Sequence, residues 1–177
     1  ETARRGHTIG THTWSHRNQR TLGQSAARGE VELAISSVRK TAGQPTAPFF
    51  RFPYLADSRY MTQHLKSRDT GIFSIDVDSR DFRTKNPADV HRTILNQLAQ
   101  RRKGILLFHD IQPSTAGALN ALLVELKARG FKVVHMISKT PATTLPEYDA
   151  IAERELQRKM LAASRSPLAN RAIVWPI

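Results

Sequence analysis

Ile105-Leu106-Leu107-Phe108-His109-Asp110 is a short apolar run that ends in an imidazole and a carboxylate, and it stands between two amphipathic stretches. Before it, in residues 87–102, Val90, Ile94 and Leu98 recur every fourth position and Leu95 widens the stripe. That is the spacing of one buried helix face. Asn86 fits the N-cap, with Pro87 at the first helical position and Asp89 in the first turn. After the run, residues 115–129 repeat the design with Leu119, Leu122, Leu123 and Leu126, and Gly130 stops the helix. Helix, strand and helix in succession set the pattern for the rest of the chain.

Three more runs read as strands: Phe49-Phe50-Arg51-Phe52, Ile72-Phe73-Ser74-Ile75-Asp76-Val77 and Phe131-Lys132-Val133-Val134-His135-Met136-Ile137. They are short and rich in β-branched or aromatic residues. His7-Thr8-Ile9-Gly10 is a shorter candidate, and residues 26–42 and 58–68 are weaker helices. Strands alternating with helices imply parallel pairing, because parallel strands need long crossovers. A barrel and a doubly wound sheet both satisfy the pattern. Beyond Pro141 the character changes: Thr144-Leu145-Pro146 is a loop, residues 147–163 a charged helix, and Ser164 to Ile177 a tail with two prolines. The expected organisation is therefore one domain over residues 1–140 with a helical appendage over 141–177.

The 177 residues allow one domain with a sizeable core. No stretch of eighteen or more apolar residues is present, so no membrane span is expected. Cysteine is absent, which excludes disulfides and thiolate metal sites and leaves His, Asp and Glu as metal ligands. The formal charge of +12 favours anionic surroundings. Its carriers are spread along the chain without interleaved aromatics, so a solvated basic surface is expected and no specific nucleic-acid partner. The opening Glu1-Thr2-Ala3-Arg4-Arg5-Gly6-His7 lacks an initiator Met and reads as the end of a helix. The chain is accordingly expected to be a fragment, and the missing signal peptide is uninformative.

Chemistry-bearing residues gather where these strands end. Gly10-Thr11-His12-Thr13-Trp14-Ser15-His16 places two histidines four apart, expected on one side of a helical turn, where they suit one metal ion. Arg51-Phe52-Pro53-Tyr54 ends the first apolar run, Asp78-Ser79-Arg80-Asp81-Phe82 the second, and Leu107-Phe108-His109-Asp110 the third. Parallel strands bring their carboxyl ends to one edge, where α/β folds carry their sites. Singly, each group has an ordinary structural role: an ion pair for Arg51 and Asp81, a helix cap for Asp110, a strand-end hydrogen bond for His109. His64, His91 and His135 lie away from that edge and are assigned no function.

In order and spacing these motifs resemble the NodB-homology polysaccharide deacetylases, carbohydrate esterase family 4, over nearly all of residues 6–137. His12-Thr13-Trp14-Ser15-His16 matches the family's His-[Ser/Thr]-x-x-His, and Arg51-Phe52-Pro53-Tyr54 its Arg-x-Pro-[Tyr/Phe/Trp]. Asp78-Ser79-Arg80-Asp81-Phe82 matches Asp-x-x-Asp-Trp with Phe for Trp, and Leu107-Phe108-His109 matches Leu-x-His. The first family motif, Thr-Phe-Asp-Asp, is not found among the eleven residues before His12. The resemblance implies a distorted, partial (β/α) barrel, incomplete at its N-terminal end. It implies a divalent metal, zinc, on His12 and His16 with a third ligand, an aspartate, missing from this chain. It makes His109 the catalytic acid, Asp81 the residue that holds its ring, and Arg51 the orienter of the missing base. Tyr54 would supply a backbone N–H to the oxyanion, and Phe82 and Leu107 would line the pocket for the acetyl methyl. The implied substrate is an N-acetylated polysaccharide or oligosaccharide, and the implied location the periplasm, cell envelope or exterior. A missing N-terminal segment or companion chain would complete the enzyme, and residues 1–177 alone would release no acetate from chito-oligosaccharide. The rival expectation is an inactive carbohydrate-binding or scaffold relative of the same fold.

Overall fold

The computed structural model describes residues 1–165; residues 166–177, which hold most of the proline-containing tail, lie outside the described residues. The chain divides into two compact units, residues 1–73 with the segment from 137 onward, and residues 74–136.

The first unit contains helix α1 (Gln24–Ala42), strand β1 (Phe49–Phe50), helix α2 (Arg59–Ser67), strand β2 (Gly71–Ile72) and helix α5 (Pro146–Ser164). β1 and β2 are parallel, with Phe49 opposite Gly71 and Phe50 opposite Ile72. Thr11 lies parallel to Phe50 on a single bridge. The core joins Ala27, Val31 and Ile35 of α1 to Phe50 and Phe52, and to Met61 and Leu65 of α2. Glu32 of α1 is buried in this layer, where His64 Nε2 (2.7 Å) and Arg68 Nε (3.1 Å) meet its carboxylate. A buried carboxylate is costly unless paired, so this cluster ties the end of α2 to α1. Ser58 caps α2 through Oγ, which accepts from the Met61 N–H. α5 packs along α1, with Ala152 fully buried.

The second unit contains strand β3 (Val77–Asp78), helix α3 (Pro87–Arg101), strand β4 (Leu106–Leu107) and helix α4 (Pro113–Ala128). β3 and β4 are parallel, with Val77 opposite Leu106. Val77, Ile94, Leu95, Leu98, Leu122 and Leu126 form its core. Asn86 caps α3 by accepting from the Ala88 N–H, as its sequence predicts. Gly117 of α4 lets Pro87 approach closely: a Cβ there would lie 2.7 Å from the proline ring.

Several elements depart from the sequence reading. The run 72–77 is not one strand. Its start pairs with β1, whereas Asp76 and Val77 turn to Ile105, whose N–H donates to the Asp76 carboxylate at 2.8 Å. His7–Gly10 forms no strand; only Thr11 makes a ladder contact. Residues 131–137 have strand composition but are not assigned as a strand. α4 begins at Pro113, and Leu119 and Leu123 are about two-fifths exposed at 40% and 43%. Its buried face is the narrower line Ala118, Leu122 and Leu126. Among the described residues, no helix is long and apolar enough to cross a membrane.

Gly10 positions the segment that follows. A Cβ at this residue would lie 2.7 Å from the Phe49 carbonyl oxygen, which accepts from the Thr11 N–H. Gly10→Ala is expected to lower unfolding stability by about 1–3 kcal/mol through overpacking, measured by denaturant titration; unchanged stability would contradict the close approach.

Candidate active site

In the first unit, Thr11 docks on β1 by two backbone hydrogen bonds, from its N–H to Phe49 O (2.8 Å) and from the Arg51 N–H to its carbonyl (3.2 Å). The chain leaves this pairing at His12, beside the end of β1. His12 Nδ1 lies 2.6 Å from the Arg51 carbonyl oxygen. A carbonyl only accepts, so Nδ1 carries the proton and the ring lone pair is on Nε2. This is how backbone carbonyls orient metal-binding histidines.

The turn from His12 to His16 is not helical, contrary to the spacing argument. Thr13 (φ 66°) and His16 (φ 59°) are left-handed, a conformation costing about 1–3 kcal/mol per non-glycine residue. The Thr13 hydroxyl accepts from the His16 N–H at 3.1 Å, and the Trp14 N–H donates to Glu30 O at 2.9 Å. The two imidazoles still meet edge to face, with centroids 4.8 Å apart. Tyr54 extends the group, its ring 4.9 Å from that of His16. Tyr54 and Leu55 are also left-handed, and Tyr54 is 68% exposed. The Arg51 guanidinium is half-buried, and burial lowers its pKa from the ordinary guanidinium range. No ion pair to it occurs among the described residues.

The second unit holds the other motif residues. Asp78 shapes a turn: its carboxylate accepts from the Arg80 N–H at 2.9 Å, and Arg80 is left-handed at φ 53°. Asp81 follows, fully buried. One carboxylate oxygen faces His109 Nδ1 at 2.7 Å; the other accepts from the His109 backbone N–H at 2.6 Å and from the Thr115 hydroxyl. Burial pushes the Asp81 carboxyl up, but the hydrogen bonds from Thr115 and His109, with the His109 charge, together hold it below its ordinary 3.8. An ionised Asp81 fixes the His109 tautomer, with the proton on Nδ1 and the lone pair on Nε2. Phe82, 52% exposed, stands edge-on to the His109 ring at 5.7 Å. Leu107 is largely buried in β4.

His12, His16, Arg51 and Tyr54 are therefore assembled within one unit, and Asp81, Phe82, Leu107 and His109 within the other. Thr115 and Ser114, whose hydroxyl reaches Asp81 O at 3.3 Å, were not legible as site residues. In sequence they look like an ordinary helix start. As to metal, two imidazoles with a carbonyl behind one of them suit two positions of a tetrahedral site. Among the described residues no group of three or more His, Cys, Asp or Glu is placed to hold a metal ion.

The family description "Polysaccharide deacetylase" matches residues 1–71, which include His12, His16 and the Arg51–Tyr54 motif. Over residues 1–71 the chain carries the polysaccharide deacetylase pattern, and over longer stretches it is similar to named deacetylases. It is 32% identical over 111 residues to "Chitin deacetylase 1" of Saccharomyces cerevisiae, covering 60% of this chain and 36% of that protein. A peptidoglycan deacetylase from Bdellovibrio bacteriovorus superposes with a TM-score of 0.70 at 34% identity, over 78% of this chain and 39% of that one. A family 4 pseudoenzyme from Bacillus anthracis shares the fold at TM-score 0.61 and 22% identity, over 71% of this chain and 43% of that one. The chain thus spans less than half the length of each of these deacetylase relatives.

Thr115 gives a test of the Asp81 network. A carboxylate held below its ordinary pKa stabilises the fold above that ordinary value, and the contribution is lost as pH falls through the lowered one. Thr115→Val removes the largest of the effects that lower it. The variant should lose about 1.5–3 kcal/mol at neutral pH, and its acid unfolding should move to higher pH. Melting curves recorded from neutral to acid pH check this; an unmoved acid transition would contradict the assignment.

Proposed function

We propose that this protein is a metal-dependent hydrolase that removes N-acetyl groups from a β-linked aminosugar polymer of the chitin or peptidoglycan kind. The observation that carries the reading is the pairing of part-exposed His109, just after β4, with the buried Asp81 carboxylate. A structural ion pair would satisfy the carboxylate with any cation. Here both oxygens are committed to one imidazole, its backbone N–H and a hydroxyl, an arrangement that fixes tautomer and orientation as in other hydrolytic dyads.

In this reading His12 and His16 hold a divalent ion, zinc by family resemblance. When bound, the ion supplies a Lewis acid and a water whose pKa is lowered to about 7. In the family the remaining ligand and the general base would come from a Thr-Phe-Asp-Asp motif, which is not among residues 1–177. Arg51, half-buried and without a described carboxylate partner, suits the orientation of that base. The Tyr54 N–H, in the left-handed turn after Pro53, would donate to the developing oxyanion by family resemblance; one such donor is worth about 3–4 kcal/mol. His109 delivers the proton to the departing amine from Nε2, while ionised Asp81 stabilises the imidazolium through Nδ1. Phe82 and Leu107 bound the acetyl methyl; Phe keeps the aromatic wall of the family's Trp without its N–H. By family resemblance the reaction would run on a partial barrel, at the cell envelope or outside the cell.

A second reading is an inactive glycan-binding relative, since a pseudoenzyme shares the fold. Turnover and metal content separate the two. In the intact protein His109→Ala should cut acetate release by about 10²-fold or more with metal content unchanged, whereas His12→Ala should strip the metal. Normal turnover by the His109 variant would overturn the acid assignment, and a metal-free, inactive intact protein would favour the binding relative.

A further inference from the structure

We propose that Glu30 of α1 and Lys159 of α5 are positioning residues that hold the His12–His16 turn from two sides, so that the C-terminal helix supports metal binding. The proposal rests on the reading of His12 and His16 as metal ligands.

The segment between the two histidines contains left-handed Thr13 and ends on left-handed His16. Such a backbone persists only where its surroundings over-determine it. Glu30 supplies three of the constraints. Its carbonyl accepts from the Trp14 N–H at 2.9 Å, and its carboxylate accepts from the Ser15 N–H at 2.8 Å and the Ser15 hydroxyl at 2.6 Å. One helical residue thereby holds both positions that precede His16. The other constraint comes from α5: Lys159 Nζ lies 3.9 Å from the centre of the Trp14 ring, a cation–π contact on the residue midway between the ligands. α5 is itself fixed to α1, through Lys40 Nζ to the Glu153 carboxylate at 2.7 Å and the buried Ala152. The Lys40 pair is strong enough to hold the Glu153 carboxyl below its ordinary range. The helix that presents Glu30 therefore also carries the helix that presents Lys159. Two ligands alone make a weak site, so the entropy saved by pre-ordering their turn is a large part of the affinity.

Trp14 makes the test direct, because Trp175 is the only other tryptophan. In a Trp175→Phe background, Co2+ titration should quench Trp14 fluorescence saturably, and His12→Ala should abolish the saturable part. Glu30→Ala and Lys159→Met should weaken the apparent Co2+ affinity about tenfold, with Lys159→Arg retaining it and the Lys159 variants keeping the parent's melting temperature. Lys159→Met is at an exposed site and decides the question if Glu30→Ala does not fold. Parental affinity in Lys159→Met and in any folded Glu30→Ala overturns the proposal. No saturable quenching in the parent, or quenching that survives His12→Ala, overturns the ligand assignment itself and the positioning roles with it.

Discussion

The docking of Thr11 on β1 is the constraint on which the histidine half-site depends. Two backbone hydrogen bonds at 2.8 and 3.2 Å seat Thr11 beside Phe50 and leave the next residue, His12, next to the carbonyl of Arg51. The imidazole then keeps its lone pair on Nε2, because the acceptor behind Nδ1 is a backbone atom that no side-chain motion withdraws. Gly10 permits the approach, Phe50 anchors the strand in the core, and the same strand ends in Arg51. One short pairing thus sets His12, its tautomer and a neighbouring guanidinium together.

Asp81 and His109, in the second unit, reach an equivalent result by a different route. A buried carboxylate would oppose folding if it had to be desolvated unpaired. At Asp81 the opposing term is offset by hydrogen bonds from Thr115 and from the side chain and backbone of His109. Those bonds are useful only while Asp81 is ionised, which is the state that orients His109. Stability and the proposed catalytic role therefore favour the same protonation state.

Much of this was legible in the sequence, and the exceptions have physical reasons. α3 could be read almost residue by residue, because Asn86, Pro87 and the Val90–Ile94–Leu98 stripe are local signals. Parallel pairing followed from the alternation of runs and helices. The break inside 72–77 was hidden, since composition does not say which neighbour a strand chooses, and here the two ends choose different ones. The His12–His16 spacing suggested a helical turn, but Thr13 and His16 are left-handed, a conformation imposed by Glu30 and the Thr13 hydroxyl rather than by propensity. Thr115 stayed invisible because it meets Asp81 across 34 residues of chain. The motif aspartate Asp78 proved to shape the turn that presents Asp81, a division of labour no pattern of letters displays.

The proposed amide hydrolysis on an N-acetylated glycan rests on named side chains, whereas only net charge speaks for nucleic-acid binding. The account's central claim, that His12 is held with its Nε2 lone pair directed to a metal, is tested most directly by 15N spectroscopy of the histidine side chains with and without Zn2+. The account predicts a proton on His12 Nδ1 before addition, and a metal-induced shift at Nε2 of His12 accompanied by a shift at His16. A His12 ring protonated at Nε2, or resonances of both histidines that ignore the metal, would contradict it.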